Sequence, residues 1–296
     1  MPLISGRLAT ILIQCRAHHW IKNLLIFFPL FFAGELLSTD LLFIVFLGFL
    51  GFSFTASAVY IINDLNDIDF DREHPVKRFR PLASGAISQQ LAKRIMYVLL
   101  MVGISISFIT DVVFGAVVLI YLVINIAYSL YLKHISIVDV TLVATGFLLR
   151  IFAGGILANI EISHWLFLLT FLLSLFLALS KRRDDLLLKT DNDIVVRKAV
   201  DGYNLKFIDL SLTFIVGVMI LCYIMYTISD DVTARYGTKY VYLTTIPAII
   251  GLLRYIQLIL NPEKLMFPIE ILYRDWLMRI VVWVWILSLF LIIYVF

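Results

Sequence analysis

Charged residues are scarce in this chain, at 15% of 296 positions, where a soluble domain carries nearer a quarter. Cysteine is scarcer still. Cys15 and Cys222 are the only two, far apart and each beside or within an apolar run, which excludes a disulfide framework and a thiolate metal site. Any metal is therefore expected on oxygen. A small-residue cleavage site is missing after the first apolar run, which follows "CRAHHWIKN", so that run is expected to stay in the chain. The net charge of +3 carries little information, and no nucleic-acid partner is expected.

What the chain has instead is apolar length, with 62% hydrophobic residues. Segments near the roughly 20 residues that cross a bilayer fall at about 20–37, 41–62, 91–110, 114–132, 136–157, 164–180, 207–228, 240–259 and 276–296. The fold class is thus an all-α integral membrane protein with about nine transmembrane helices. If the loops alternate sides, 21 of the 24 basic residues collect on one side, that of the N-terminus and the loops near 63–90, 132–136, 181–206 and 260–275. Cytoplasmic loops are rich in Lys and Arg, so this side is expected to face the cytoplasm from the cell (inner or plasma) membrane. Topology alone accounts for scattered bases such as Lys93, Arg94 and Lys264.

The bases packed beside acids need more. "NDLNDIDFDREHPVKRFRPLASG", residues 63–85, places five carboxylates within residues 64–73 directly behind an apolar span. If the helix continues two turns past Ile62, its 3.6-residue period puts Asn63, Asp64, Asp67 and Asp71 on one arc, with Asp69 and Glu73 on the other side. Carboxylates converging in this way repel one another unless a cation sits between them. Oxygen-only ligands of this kind suit Mg²⁺, which commonly shares its shell with substrate phosphates. His74-Pro75 is expected to end the helix, and Lys77, Arg78 and Arg80 then follow on a turn, placed to meet phosphate. The plainer reading is a solvated, charge-balanced loop.

A second cluster follows 118 residues on, again just behind a span: "SKRRDDL", with Lys181, Arg182, Arg183, Asp184 and Asp185. Its position suggests a duplicated four-helix unit, with repeat one at about 18–134, repeat two at about 135–260 and a final span at about 274–296. The two polar tails would face a central cavity. Three more features point there. Lys22 and Asn23 stand at the foot of the first span and Lys133 at the end of the fourth, where lipid-anchoring lysines are also common. Arg150 lies near mid-membrane, where an unpaired charge costs at least ~2.5 kcal/mol. It shares a helix face with Asp139 and Gly146, and is either paired with an unseen acid or a ligand for an anionic headgroup.

"NDLNDIDFD" resembles the N-D-x-x-D-x-x-x-D motif of the UbiA superfamily of intramembrane prenyltransferases. That resemblance covers nearly the whole chain. It implies an Asp motif (Asp64, Asp67 and Asp71, with Asn63 orienting them) that holds Mg²⁺ and a diphosphate at the cytoplasmic mouth of a lipid-lined cavity. The superfamily's second D-x-x-x-D motif is absent. "SKRRDDL" instead resembles the K-R-x-x-E/D-L segment of the decaprenyl-phosphate phosphoribosyltransferase branch, as do "DREHPVKRFRPLASG", "WIKN", "AYSLYLKH", "LLRIFAGG" and "RKAVDGY". Ala17 departs from that branch, which often has Pro before the Trp. The resemblance implies transfer of 5-phosphoribose from 5-phosphoribosyl diphosphate to a polyprenyl phosphate. Lys22, Arg78, Lys133, Lys181 and Arg182 would bind phosphates, with Asn23, Lys77, Arg80, Arg150 and Asp185 also at the substrates. One alternative keeps the fold but moves a prenyl group from a prenyl diphosphate to an aromatic or other small acceptor. A transporter is the other alternative, opposed by acids gathered at one mouth and not at the bilayer midplane.

Overall fold

The computed structural model describes residues 6–74, 76–192, 198–260, 271 and 274–295, and every described element is helical. The chain divides into two compact units, Met1–Leu142 with Gly146–Ile162, and Val143–Thr145 with Ser163–Phe296. We keep the four-helix duplication, with its boundary near residue 134, as a proposal, since compactness and internal repetition are different properties.

In the first unit α1 (Arg7–Gln14) leads through a 3₁₀ run (Ala17–Phe27) and a short α2 (Phe28–Phe32) to α3 (Thr39–Asn66) and α4 (Ile68–Glu73). Then come α5 (Gln89–Thr110), α6 (Val112–Leu130) and α7 (Val138–Ala158). The second unit holds α8 (His164–Asn192), α9 (Leu205–Ile228), α10 (Asp230–Tyr236), α11 (Thr245–Leu260) and α12 (Trp276–Tyr294).

Among the described residues eight helices are long and apolar enough to cross a membrane. They correspond to eight of the nine expected spans. The remaining segment, 20–37, is divided between the 3₁₀ run and α2, because Pro29 stands in the first turn of α2 and has no N–H to continue a helix through it. Spans α3 and α7 are more than half buried, whereas α5 and α12 bury 17% and turn most of their apolar surface outward. Outward apolar side chains are what a lipid solvent requires.

Burial of α3 follows from its small residues. Gly51, Thr55 and Ser57 let neighbouring backbones approach, as membrane helices do when lipid supplies no hydrophobic drive between them. A Cβ on Gly103 of α5 would lie 2.9 Å from both the Gly51 carbonyl oxygen and the Thr55 backbone nitrogen. The hydroxyls of Thr55 and Ser107 donate to their own helices, at Gly51 (3.0 Å) and Gly103 (2.7 Å), so the close contact leaves neither unsatisfied. The opposite face of α3, with Ser53 and Ser57, holds the 3₁₀ run. Trp20 Nε1 donates to Ser57 at 2.9 Å, and Asn23 Nδ2 donates to Ser53 at 2.8 Å. The acidic foot of α3 is thereby fixed against the N-terminal segment.

Candidate active site

Residues 63–71 do not form one continuous arc. Helix α3 ends at Asn66, and Asp67 leaves helical geometry (φ −99°, ψ 9°) before α4 resumes at Ile68. The break sorts the four expected groups into two sets. In the first, Asp64 and Asp71 are 3% and 1% exposed. Asp64 Oδ1 accepts from Arg16 at 2.5 Å and from Arg80 at 3.2 Å, and its Oδ2 accepts from Gln14 Nε2 at 3.0 Å. The same Arg80 nitrogen donates to Asp71 Oδ2 at 2.6 Å. In the second set, Asp67 accepts from Lys133 Nζ at 2.5 Å and from Asn63 Nδ2 at 3.2 Å. Asn63 in turn accepts from Ser129 at 3.2 Å. Asp69 and Glu73 are exposed, Asp69 paired with Arg72 at 3.3 Å.

Carboxylates crowded behind an apolar span therefore do meet cations, and the chain's own side chains supply them. Arg80 and Lys133, read from sequence as phosphate ligands, rest on the acids. Lys77 and Arg78 follow on the turn Lys77–Phe79, over the rings of Phe70 (5.0 Å) and Phe79 (4.9 Å). Pro75 lies outside the described residues. Burial pushes the Cys15 thiol up.

Among the described residues no three His, Cys, Asp or Glu side chains come together as a metal set. The donors nevertheless fit a hard divalent cation. Two buried carboxylates already share one cationic nitrogen, and Asp71 Oδ1 is buried without a hydrogen-bond partner. An unsatisfied carboxylate oxygen beside a bridged pair of acids is the donor such a cation needs.

Arg150 is 5% exposed, and the partners found for it are neutral. It donates to Asn23 Oδ1 at 2.8 Å, the Gly146 carbonyl at 2.6 Å and the Tyr121 hydroxyl at 3.3 Å. The rings of Phe52, Tyr121 and Phe147 lie within 5.7 Å of its guanidinium carbon. No acid is among these contacts. Oriented dipoles and π faces hold the charge. Asn23 bridges Ser53 and Arg150, and Lys22 beside it feels the like charges of Arg150 and Arg16.

In the second unit Lys181 is exposed, and Arg182 is buried and paired with Asp185 at 2.6 Å. Arg183 ties α8 to α9 through Asp209 (2.7 Å) and donates to the Ile259 carbonyl in the last turn of α11 (2.8 Å), where a helix leaves carbonyls unsatisfied. Arg197, Lys198 and Ala199 are not described at side-chain level, so the first three residues of "RKAVDGY" lie outside what is placed, while Val200 and Tyr203 are buried.

Sequence reasoning missed Gln14, Arg16, Tyr121 and Ser129. The only available signal was Arg16 in "CRAHHWIKN", a base at the foot of an apolar run.

An all-helical membrane fold with a buried Asp motif at the end of a span defines the class, and the chain belongs to the UbiA prenyltransferase family, which it matches over residues 24–265. It is an integral membrane transferase. It is 32% identical to the decaprenyl-phosphate phosphoribosyltransferase of Mycolicibacterium smegmatis over 96% of this chain and 91% of that one. The protein of the same name from Corynebacterium glutamicum is 29% identical over 95% of this chain and 85% of its own length. In fold the chain is similar to a UbiA homologue from Archaeoglobus fulgidus bound to DMAPP and Mg²⁺, with a TM-score of 0.68 and 19% identity over 97% of this chain and all of that one.

Proposed function

We propose that the protein transfers 5-phosphoribose from 5-phosphoribosyl diphosphate to a decaprenyl-type polyprenyl phosphate, with Mg²⁺, at the cytoplasmic face. The observation that carries this reading is the end-to-end likeness to the M. smegmatis phosphoribosyltransferase. It is supported by the second cluster, where Lys181, Arg182 and Arg183 stand in place of a second acidic motif.

Asp64 and Asp71 would hold Mg²⁺, with Asp67 and Asn63 beside them; bound there, the ion supplies positive charge to a departing diphosphate. Asp64, Asp71, Arg16 and Arg80 sum to zero formal charge, and Asp67 with Lys133 does too. A bare dication or a bare diphosphate would unbalance these pairs, so donor and metal are expected to enter together. Arg16, Arg80 and Lys133 then exchange carboxylate oxygens for phosphate oxygens, with Lys22, Asn23, Lys77, Arg78, Lys181, Arg182 and Asp185 as further contacts. Arg150 supplies fixed positive potential. The bond from the anomeric carbon to the diphosphate oxygen breaks with its electron pair leaving on diphosphate. The acceptor's phosphate oxygen forms the new bond from the opposite face. It is already anionic, so no general base is needed, and catalysis rests on positioning and charge stabilisation.

The test is to incubate purified protein with Mg²⁺, labelled phosphoribosyl diphosphate and polyprenyl phosphate, with Asp64→Asn as control. A labelled lipid is expected from the wild type alone. The second reading, a prenyl diphosphate donor, is favoured by the DMAPP bound to the A. fulgidus homologue. Turnover of a prenyl diphosphate without any labelled phosphoribosyl lipid would establish it in place of the first.

A further inference from the structure

At the C-terminal end of α7 lies an open groove of about 500 Å³, walled by Phe152, Ile156, Ile160 and Ile162 with Asn159 and Glu161 as its polar members, all in the first unit. That volume suits a small ligand or part of a larger one. The turn after the helix gives the groove its shape. Asn159 adopts the left-handed conformation (φ 53°) and the Ile160 N–H donates back to the Gly155 carbonyl at 2.8 Å, which closes the helix end. A Cβ on Gly155 would lie 2.5 Å from Ile162 Cδ1 and 2.9 Å from the Ile160 carbonyl oxygen, so the turn folds tightly back on α7 and the groove is preformed. The Asn159 and Glu161 side chains are exposed, and neither meets a hydrogen-bond or ion-pair partner among the described residues. Phe152 is 38% exposed and turns apolar surface outward. Helix α7 starts just after Lys133, the partner of Asp67, and its 21 residues set the groove about 30 Å from that start. The distance equals the hydrocarbon thickness of a bilayer.

We propose that this groove binds a phospholipid with a primary ammonium headgroup, of the phosphatidylethanolamine kind, from the leaflet opposite the Asp motif. Charge complementarity selects that headgroup. The Glu161 carboxylate has no cation of its own, the Asn159 amide oxygen is an acceptor for one ammonium N–H, and the last turn of α7 carries the negative end of the helix dipole. An anionic headgroup would meet the same carboxylate and dipole as like charges. The apolar wall selects the rest of the molecule. Phe152 and Ile156 lie on a membrane-spanning helix, where the first part of an acyl chain can run along them while the ammonium stays at the rim. No residue of the groove belongs to the set read as holding metal or substrates, so the proposal does not depend on the transferase reading.

The test uses full-length, delipidated protein in detergent and reads by native mass spectrometry the binding of phosphatidylethanolamine and phosphatidylglycerol with identical acyl chains. Wild type should prefer phosphatidylethanolamine by about fivefold, the scale of one exposed charge pair at a helix end. Glu161→Gln should abolish the preference and Glu161→Lys should reverse it. Phe152→Ala, which removes part of the wall and leaves the charge, should weaken both lipids alike. All three substitutions fall on exposed side chains, and an unchanged melting temperature checks that each variant is folded. Equal affinity of wild type for the two lipids overturns the proposal. So does a preference that survives in Glu161→Gln, and so does Phe152→Ala with both affinities intact, since the bound lipid would then lie elsewhere.

Discussion

Arg80 is the residue on which the balance of the Asp cluster turns. Its Nη1 lies 2.6 Å from Asp71 and 3.2 Å from Asp64, whose side chains are 2% and 4% exposed. Removing one partner of a buried ion pair costs about 3–5 kcal/mol, because the other charge stays behind in a poor solvent. Arg80 itself is 28% exposed and Asp64 keeps Arg16, so Arg80→Met is expected near the lower end, about 3 kcal/mol. At about 2 °C per kcal/mol for a chain of this size, the melting temperature should fall by roughly 6 °C. The second half of the prediction has the opposite sign. Without Arg80 the cluster of Asp64, Asp71 and Arg16 carries −1, so a divalent cation alone becomes a counter-ion. Millimolar Mg²⁺ should recover most of the lost stability in the variant while shifting wild type little. Differential scanning fluorimetry in detergent, with and without Mg²⁺, reads both effects. A variant that melts within 1 °C of wild type, or whose loss Mg²⁺ does not restore, would refute the charge accounting.

Gly103→Val should destabilise by about 1–3 kcal/mol through overpacking, since a Cβ there meets Thr55 and Gly51 backbone at 2.9 Å; retained melting temperature would show that α5 can move. Arg150→Lys keeps the charge but loses the planar fork, leaving Asn23 Oδ1 or Tyr121 under-bonded, for a loss of about 1–3 kcal/mol. An unchanged thermal midpoint would mean that charge alone is what the site holds. The hydrogen bond from Arg254 holds the Asp275 carboxyl below its ordinary value, helped by the Met278 backbone N–H. Its folded pKa is depressed, so its contribution is full above the usual carboxylate value near ~3.9 and disappears as pH falls through the folded value. Asp275→Asn, which can still cap α12, should flatten the acid limb of a stability–pH profile; an unaltered limb would show the pair to be inert.

Much of this was legible in the residues themselves. Apolar length located eight continuous spans because a bilayer imposes it on any helix that crosses. The Asp stretch stood out because carboxylates directly behind a span are costly without cations. What the 3.6-residue period could not show was the break at Asp67. Period arguments assume that the helix continues, and nothing in "NDLND" announces where it stops. Nor could spacing show which bases answer which acids. Arg16 reaches Asp64 across 48 residues and Lys133 reaches Asp67 across 66, and separations of that kind are set by tertiary packing. Arg150 was legible as a problem, a charge at mid-membrane. Its solution, an amide, a carbonyl, a phenol and three rings, came from four different segments.

The "SKRRDD" cluster divides along similar lines once its contacts are known. Three bases in a row invite a single role, yet a helix points consecutive side chains about 100° apart. Arg183 therefore faces α9 and the end of α11 and is engaged by Asp209 and Ile259. Arg182 is held by Asp185 one turn along, and Lys181 is turned to the exposed side. Arg183 could not bind a phosphate without releasing two helices. Arg182 has Asp185 as its carboxylate, as Arg80 has Asp71. In both acid–base clusters, then, an arginine rests on a nearby carboxylate. Such pairing is what a buried guanidinium and carboxylate need in a low-dielectric setting.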